Sequence, residues 1–112
     1  FREEESIRAA LDTIVQLKGR YADIGLTDRS QIFNTEVVQA IELGNMLDVA
    51  EAVALSALHR RESRGAHTRT DYPTRNDAEF WKHSLVTFAA DGPRLSYKPV
   101  TKTRWELEER KY

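Results

Sequence analysis

NTEVVQAIELGNMLDVAEAVALSALHR, from Asn34 to Arg60, is the stretch whose reading decides the fold. Asn34 is a good N-cap, and Thr35 and Glu36 suit a first helical turn. Apolar side chains then follow at helical spacing. The predicted helix runs from about Thr35 to about Arg61, near ~40 Å at ~1.5 Å per residue. Ile41, Leu47, Ala54 and Leu58 fall on one face. Val38, Leu43, Met46, Ala50, Val53 and Ala57 widen the apolar surface well beyond the ~100° arc that a helix lying on one core needs. Ala50, Ala52, Ala54 and Ala57 are small enough for a neighbouring helix to approach closely. Such a helix wants more than one packing partner.

The rest of the chain offers one helix of comparable length. Ile7, Ala10, Leu11, Ile14, Leu17 and Tyr21 recur at three- and four-residue steps. Glu3, Glu4 and Glu5 lie where negative charge suits a helix start, and Lys18 and Arg20 where positive charge suits its end. Gly25 reads as a stop signal. Between the helices, Asp28-Arg29-Ser30 reads as a turn, and Ile32 and Phe33 are expected to tuck under the helices. The fold class is therefore mainly α: an antiparallel hairpin of helices at about 4–22 and 35–61, with one packing partner missing. Residues 1–63 form the helical part and residues 64–112 an extended, mostly irregular tail. In the tail, Gly65 is expected to end the second helix. Asp77 is expected to cap a short helix near 77–82. Asp91-Gly92 marks a β-hairpin near 84–98, and Trp105 to Tyr112 is charged and placed on the surface. Phe1 in first position, with no leader character after it, reads as the middle of a longer polypeptide.

Composition removes several function classes. The 112 residues allow one domain and a modest core. A net charge of -1 argues against a general polyanion binder. The absence of cysteine excludes disulfides, an iron–sulfur cluster and a thiol nucleophile within this chain. No apolar run is long enough to span a membrane, so no direct membrane insertion is expected.

Chemistry concentrates between His59 and Asp77, which hold five arginines and two of the three histidines. His59, His67 and His83 lack the close spacing that puts two imidazoles on one helical face, so no metal site is expected. Ser63, His67 and Asp71 contain the residue types of a hydrolase triad, but no nucleophile-elbow pattern surrounds Ser63. Arg60, Arg61, Arg64, Arg69 and Arg75 could follow phosphates with Tyr72 and Trp81 as stacking platforms. The interleaved Glu62, Asp71, Asp77 and Glu79 leave the segment only mildly basic, and nucleic acid is not expected as a partner. Arginines paired to nearby carboxylates are the bland reading. Docking to another protein surface is the leading functional one, with Arg64, His67, Arg69, Tyr72 and Arg75 as the contact residues. No catalytic, cofactor-binding or metal-binding residue is assigned.

At these residues the sequence resembles a known family. NTEVVQAIELGNMLDVAEAVALSALHRRESRGAHTRTDYPTRNDAEFWKHSL, and within it the pattern RxESRGAHxRxDxPxRxD…WxKH, is similar to the C-terminal helical domain of the flavoprotein subunit of succinate dehydrogenase and fumarate reductase. The ending LSYKPVTKTRWELEERKY resembles the Leu-x-Tyr-x-x-Val segment and the Arg-x-Tyr terminus of succinate dehydrogenases. Members often carry prolines before the final basic residues, whereas Trp105 to Glu109 has none.

The resemblance implies a parent enzyme that binds FAD, interconverts succinate and fumarate, and passes electrons to an iron–sulfur subunit. It implies that FAD and the catalytic residues lie in FAD-binding and capping domains that precede this segment. It also implies an up-and-down three-helix bundle, spectrin-repeat-like, whose first helix precedes Phe1. This segment alone would then be inactive, would hold no cofactor and would self-associate. The implied location is cytoplasmic, peripheral at the inner face of the cell membrane. L-aspartate oxidase, with a similar Glu-Ser-Arg-Gly cluster, is the alternative within the superfamily. A free-standing adaptor that binds an acidic partner through the arginine turn is the alternative outside it.

Overall fold

The computed structural model describes residues 2–108. Helix α1 spans Glu4–Tyr21 and helix α2 Thr35–His59. A single turn, α3 (Asp77–Phe80), leads into strands β1 (Lys82–Thr87) and β2 (Arg94–Pro99). The fold is mainly helical with one antiparallel two-stranded hairpin, in which Lys82 pairs with Pro99 and Thr87 with Arg94. Residues 100–108 carry no helix or strand. The Arg-x-Tyr terminus lies outside the described residues.

The two long helices pack antiparallel. Lys18, near the end of α1, reaches Asp48 and Glu51 at mid-α2, at 2.7 and 2.6 Å. Glu4, at the start of α1, lies 3.7 Å from Arg61, just past the end of α2. Ile7, Leu47, Leu58 and Phe80 form the buried apolar core. The buried stripe of α1 differs from the expected one in its middle and in its last turns. Ala10 and Leu17 face outward, and Lys18 takes the inward position instead. The reason is electrostatic. Its ammonium meets two carboxylates, which hold its pKa above the ordinary lysine value, Asp48 foremost and then Glu51.

Gly44 fixes how closely α1 approaches α2. The Tyr21 hydroxyl donates to the Ala40 carbonyl at 2.9 Å, which lays the ring across Gly44. A Cβ on residue 44 would meet the Tyr21 hydroxyl oxygen at 2.6 Å and Cζ at 2.8 Å. Gly44→Ala is therefore expected to destabilise the hairpin. Overpacking costs about 1–3 kcal/mol, and the better helix propensity of alanine recovers up to about 1 kcal/mol. Urea unfolding is the measurement, and adding Tyr21→Phe should leave the penalty in place, because ring atoms clash as well as the hydroxyl.

Local signals account for most element ends. The Asn34 side chain accepts from Val37 N at 3.1 Å and caps α2 as expected. Gly25 does not end α1. The helix closes through Asp23 N to Arg20 O and Ile24 N to Tyr21 O, both 3.2 Å. Gly65 does not end α2 either. The helix stops at His59, where Arg60 turns to an extended conformation, and Gly65 serves a later turn at φ 59°. Asn76, not Asp77, caps α3, its side chain accepting from Glu79 N at 3.2 Å. The Asp77 carboxylate is held by arginines instead.

Ile32 and Phe33 do not tuck under the helices. They are 76% and 96% exposed. Phe33 adopts φ 52°, which swings its side chain away from the bundle.

The apolar surplus of α2 is resolved into two opposite faces. Leu47, Glu51 and Leu58 turn toward α1 and the loop beyond it. Val38, Met46, Val49 and Val53 lie on the other side of the helix and are all more than half exposed. Strand β1 reaches only one end of that side. Ser84 and Val86 face Val49, Ala52, Val53, Ser56 and Ala57 across an open groove of about 630 Å³.

Candidate docking interface

The loop from Arg60 to Asp77 sits where α1 begins and α2 ends. Two antiparallel helices present opposite dipole ends there, unpaired N–H groups from α1 beside unpaired carbonyls from α2. The loop supplies one charge to each. Asp71 Oδ2 accepts from Glu4 N at 2.9 Å. Arg69 Nη1 donates to the Ala57 and Leu58 carbonyls at 3.1 and 3.0 Å. The two charges then pair with each other. Arg69 Nε reaches Asp71 Oδ1 at 2.8 Å, and Arg69 Nη2 bonds Asp71 Oδ2. The hydrogen bond from Arg69 is the main cause that holds the Asp71 carboxyl well below the usual carboxylate range. The guanidinium also lies over the Tyr72 ring, 5.0 Å from its centroid.

A second centre is Glu62, which is fully buried. Burial alone would push its carboxyl up. Hydrogen bonds from Arg64, the Asn76 amide and Arg60 outweigh that and hold it below the ordinary value. Arg60 Nη1 lies 2.7 Å from Oε1 and Arg64 Nε 2.8 Å from the same oxygen. Arg64 Nη2 and Asn76 N approach Oε2 at 3.0 and 2.8 Å. Arg60 continues outward, donating to the carbonyls of Phe80 and Lys82 and to Ser84 Oγ. One buried carboxylate thereby ties the end of α2 to the start of α3 and, through Arg60, to β1.

The five predicted contact residues divide sharply. Arg69 is fully buried and has no surface left for a partner. Tyr72 is half-buried against it. His67 pairs with Arg64 through both backbone groups, at 2.7 and 3.0 Å, and its Nε2 donates to the Arg60 carbonyl at 3.0 Å. Arg64 bridges Glu62 and Asp77, and Arg75 bridges Asp77 and the Glu108 carbonyl. Their side chains each keep about a quarter of their exposure, 26% in both cases. The arginines are thus paired within the chain, and what they present outward is a rigid turn, Arg64-Gly65-Ala66-His67, with the edges of two guanidiniums. Asp77 lies below its ordinary pKa, chiefly through its hydrogen bond from Arg64.

No catalytic arrangement links Ser63, His67 and Asp71. Ser63 Oγ donates to the Tyr72 carbonyl at 2.7 Å and accepts from Arg69 N at 2.9 Å. His67 and Asp71 are engaged as described above. Among the described residues no three or more His, Asp or Glu side chains gather as a metal site. Within the same residues, no helix is long and apolar enough to cross a membrane. Arg60 and Glu62 are the structural residues that sequence reading left out of the site. Their adjacency to Arg64 was visible, but the chain reversal that buries Glu62 was not.

Comparison with known proteins places this geometry. The family model described as fumarate reductase flavoprotein C-term matches residues 1–112. The chain is 44% identical to the fumarate reductase flavoprotein subunit of Haemophilus influenzae, aligning over 100% of its own length and 19% of that relative. It is 47% identical to the Mycobacterium tuberculosis fumarate reductase flavoprotein subunit, again over 100% of this chain and 19% of the relative. A solved structure of a variant Escherichia coli quinol fumarate reductase superimposes with a TM-score of 0.90 at 41% identity, covering 94% of this chain and 18% of that one. The chain thus spans about a fifth of the length of the relatives it matches.

Proposed function

The chain belongs to the fumarate reductase flavoprotein C-terminal family, and we propose that it is the helical buttress of a longer FAD-dependent subunit. That subunit would interconvert succinate and fumarate and pass electrons to an iron–sulfur subunit. It would be peripheral to the inner face of the cell membrane. The observation that carries this role is the open apolar side of α2. Val38, Met46, Val49 and Val53 form a helix-wide stripe beside an internally tied, rigid loop. A stripe of this kind is a packing surface. In this reading another helix of the same subunit covers it, while Arg64, His67 and Arg75 meet the FAD-binding and capping domains.

The described residues do not fit FAD. Dinucleotide sites need a glycine-rich turn between a parallel strand and a helix N-terminus. Here the sheet is an isolated antiparallel pair, and the positive-φ glycines, Gly65 and Gly92, lie in turns. The flavin is therefore assigned to the other domains of the subunit. The match across the whole chain favours this reading over an L-aspartate oxidase domain or a free-standing adaptor.

Two outcomes test it. In the full-length subunit, Arg64→Ala should lower stability by about 1–3 kcal/mol, the cost of leaving Glu62 short of a partner, without changing the KM for succinate. A changed KM with unchanged stability would place Arg64 in the substrate site and overturn the buttress role. The purified 112-residue chain should carry no flavin absorbance and should associate with rising concentration in light scattering. Retained flavin would overturn the assignment of the cofactor to other domains.

A further inference from the structure

The tip of the α1–α2 connector combines two features that rarely occur together. Ile32 and Phe33 are 76% and 96% exposed, and Phe33 is the only non-glycine residue with positive φ among the described residues. A bulky aromatic at φ 52° is strained. Glycine or asparagine would adopt that backbone at little cost, and a polar residue would suit the exposure better. The chain instead places a phenyl ring at the position least favourable to it.

The surrounding loop is built to hold it there. Asn34 Nδ2 donates to the Asp28 and Ser30 carbonyls, both at 3.0 Å. Asp28 Oδ1 accepts from Ser30 N at 2.8 Å. The Glu36 carboxylate accepts from Thr27 N at 3.0 Å and from Asp28 N at 2.5 Å. Those amide bonds lower the carboxyl pKa of Glu36, chiefly through Asp28 N. The web brackets the apolar pair on both sides and involves neither side chain. A rigid loop that presents an aromatic ring in advance has the form of a binding anchor, whose ordering cost is met before contact.

We propose that Phe33, flanked by Ile32, is an anchor that seats in an apolar socket on another domain of the same flavoprotein subunit. The inference rests on the proposed buttress role and adds a second attachment point to it. The socket is placed on the same polypeptide for two reasons. The matched segment is 19% of a relative's length, so most of such a subunit lies outside it and can supply the socket. A contact within one polypeptide also covers the pair permanently, whereas a dissociating partner would leave a strained apolar tip in water. The tip lies at the opposite end of α2 from the Arg69–Asp71 pair, about 37 Å away for a 25-residue helix. Attachment at both ends fixes the direction of the bundle as well as its position.

The sign of one substitution tests this. Phe33→Asn removes the ring and relieves the backbone, because asparagine tolerates this conformation. If the ring stays in water in the intact protein, the variant is neutral or more stable. If the ring is an anchor, the full-length subunit loses several degrees of Tm despite the relief, and Phe33→Trp loses less. Each variant is measured in the full-length subunit alone and in the assembled complex, beside Val53→Asp on the open face of α2. A fall for Val53→Asp with none for Phe33→Asn overturns the anchor and leaves the buttress role standing. No fall for either overturns both. A fall for Phe33→Asn only in the assembled complex overturns the same-chain socket and points to a separate subunit.

Discussion

Glu62→Ala is expected to lower the stability of the full-length subunit by about 3–5 kcal/mol, the cost of breaking a buried ion pair by removing one partner. The carboxylate is fully buried, and two guanidiniums and one backbone amide converge on it. Alanine leaves Arg60 and Arg64 facing each other without the charge between them. It also frees the Asn76 amide at the start of α3. Arg60 is the joint to Phe80, Lys82 and Ser84, so the defect should spread to the β-hairpin. Glu62→Gln keeps the volume and one acceptor oxygen and should cost less. Denaturant unfolding gives the magnitude, and hydrogen exchange of the β1 amides checks the spread. An alanine variant within ~0.5 kcal/mol of the wild type, the range of ordinary surface substitutions, would show that the network carries little.

The buried carboxylate also shows where sequence reading reaches its limit. Helix α2 was legible because its cap and periodicity are local, and so was its apolar surplus, which the structure leaves exposed along one side at Val38, Met46, Val49 and Val53. The arginine loop was legible only as a set of residue types. Its interleaved acids correctly suggested internal pairing, but not which arginine would be inside. Arg69 is buried because helix ends from two distant parts of the chain meet at that point, a fact of topology rather than spacing. Lys18 displaced Leu17 from the inner stripe for the same kind of reason, since Asp48 and Glu51 lie 30 and 33 residues away in sequence. Phe33 was misplaced because phenylalanine signals burial, and nothing in its local sequence announces a positive φ.

Arg69 gives the other large effect, together with a pH signature. Arg69→Ala should cost about 3–5 kcal/mol, because it uncaps α2 and leaves a buried site unfilled. Arg69→Lys should still cost about 2 kcal/mol, since an ammonium has no planar fork to hold Asp71 bidentately while reaching two carbonyls. The acid limb of stability separates this pair from simple packing. Asp71, Asp77 and Glu62 all have folded pKa values below their unfolded ones, so their contribution is fully present above the unfolded values, near ~4. It is lost as pH falls through the folded values, because the unfolded chain takes up protons first. Asp71, lowered farthest below its ordinary value, should keep losing stability to the lowest pH. The wild-type subunit should therefore show a Tm that declines steeply from about pH 4 downward. Asp71→Asn and Arg69→Lys should each flatten that decline while lowering Tm at neutral pH. An acid limb as steep in Asp71→Asn as in the wild type would mean that the pair contributes shape but not charge to the junction of the two helices.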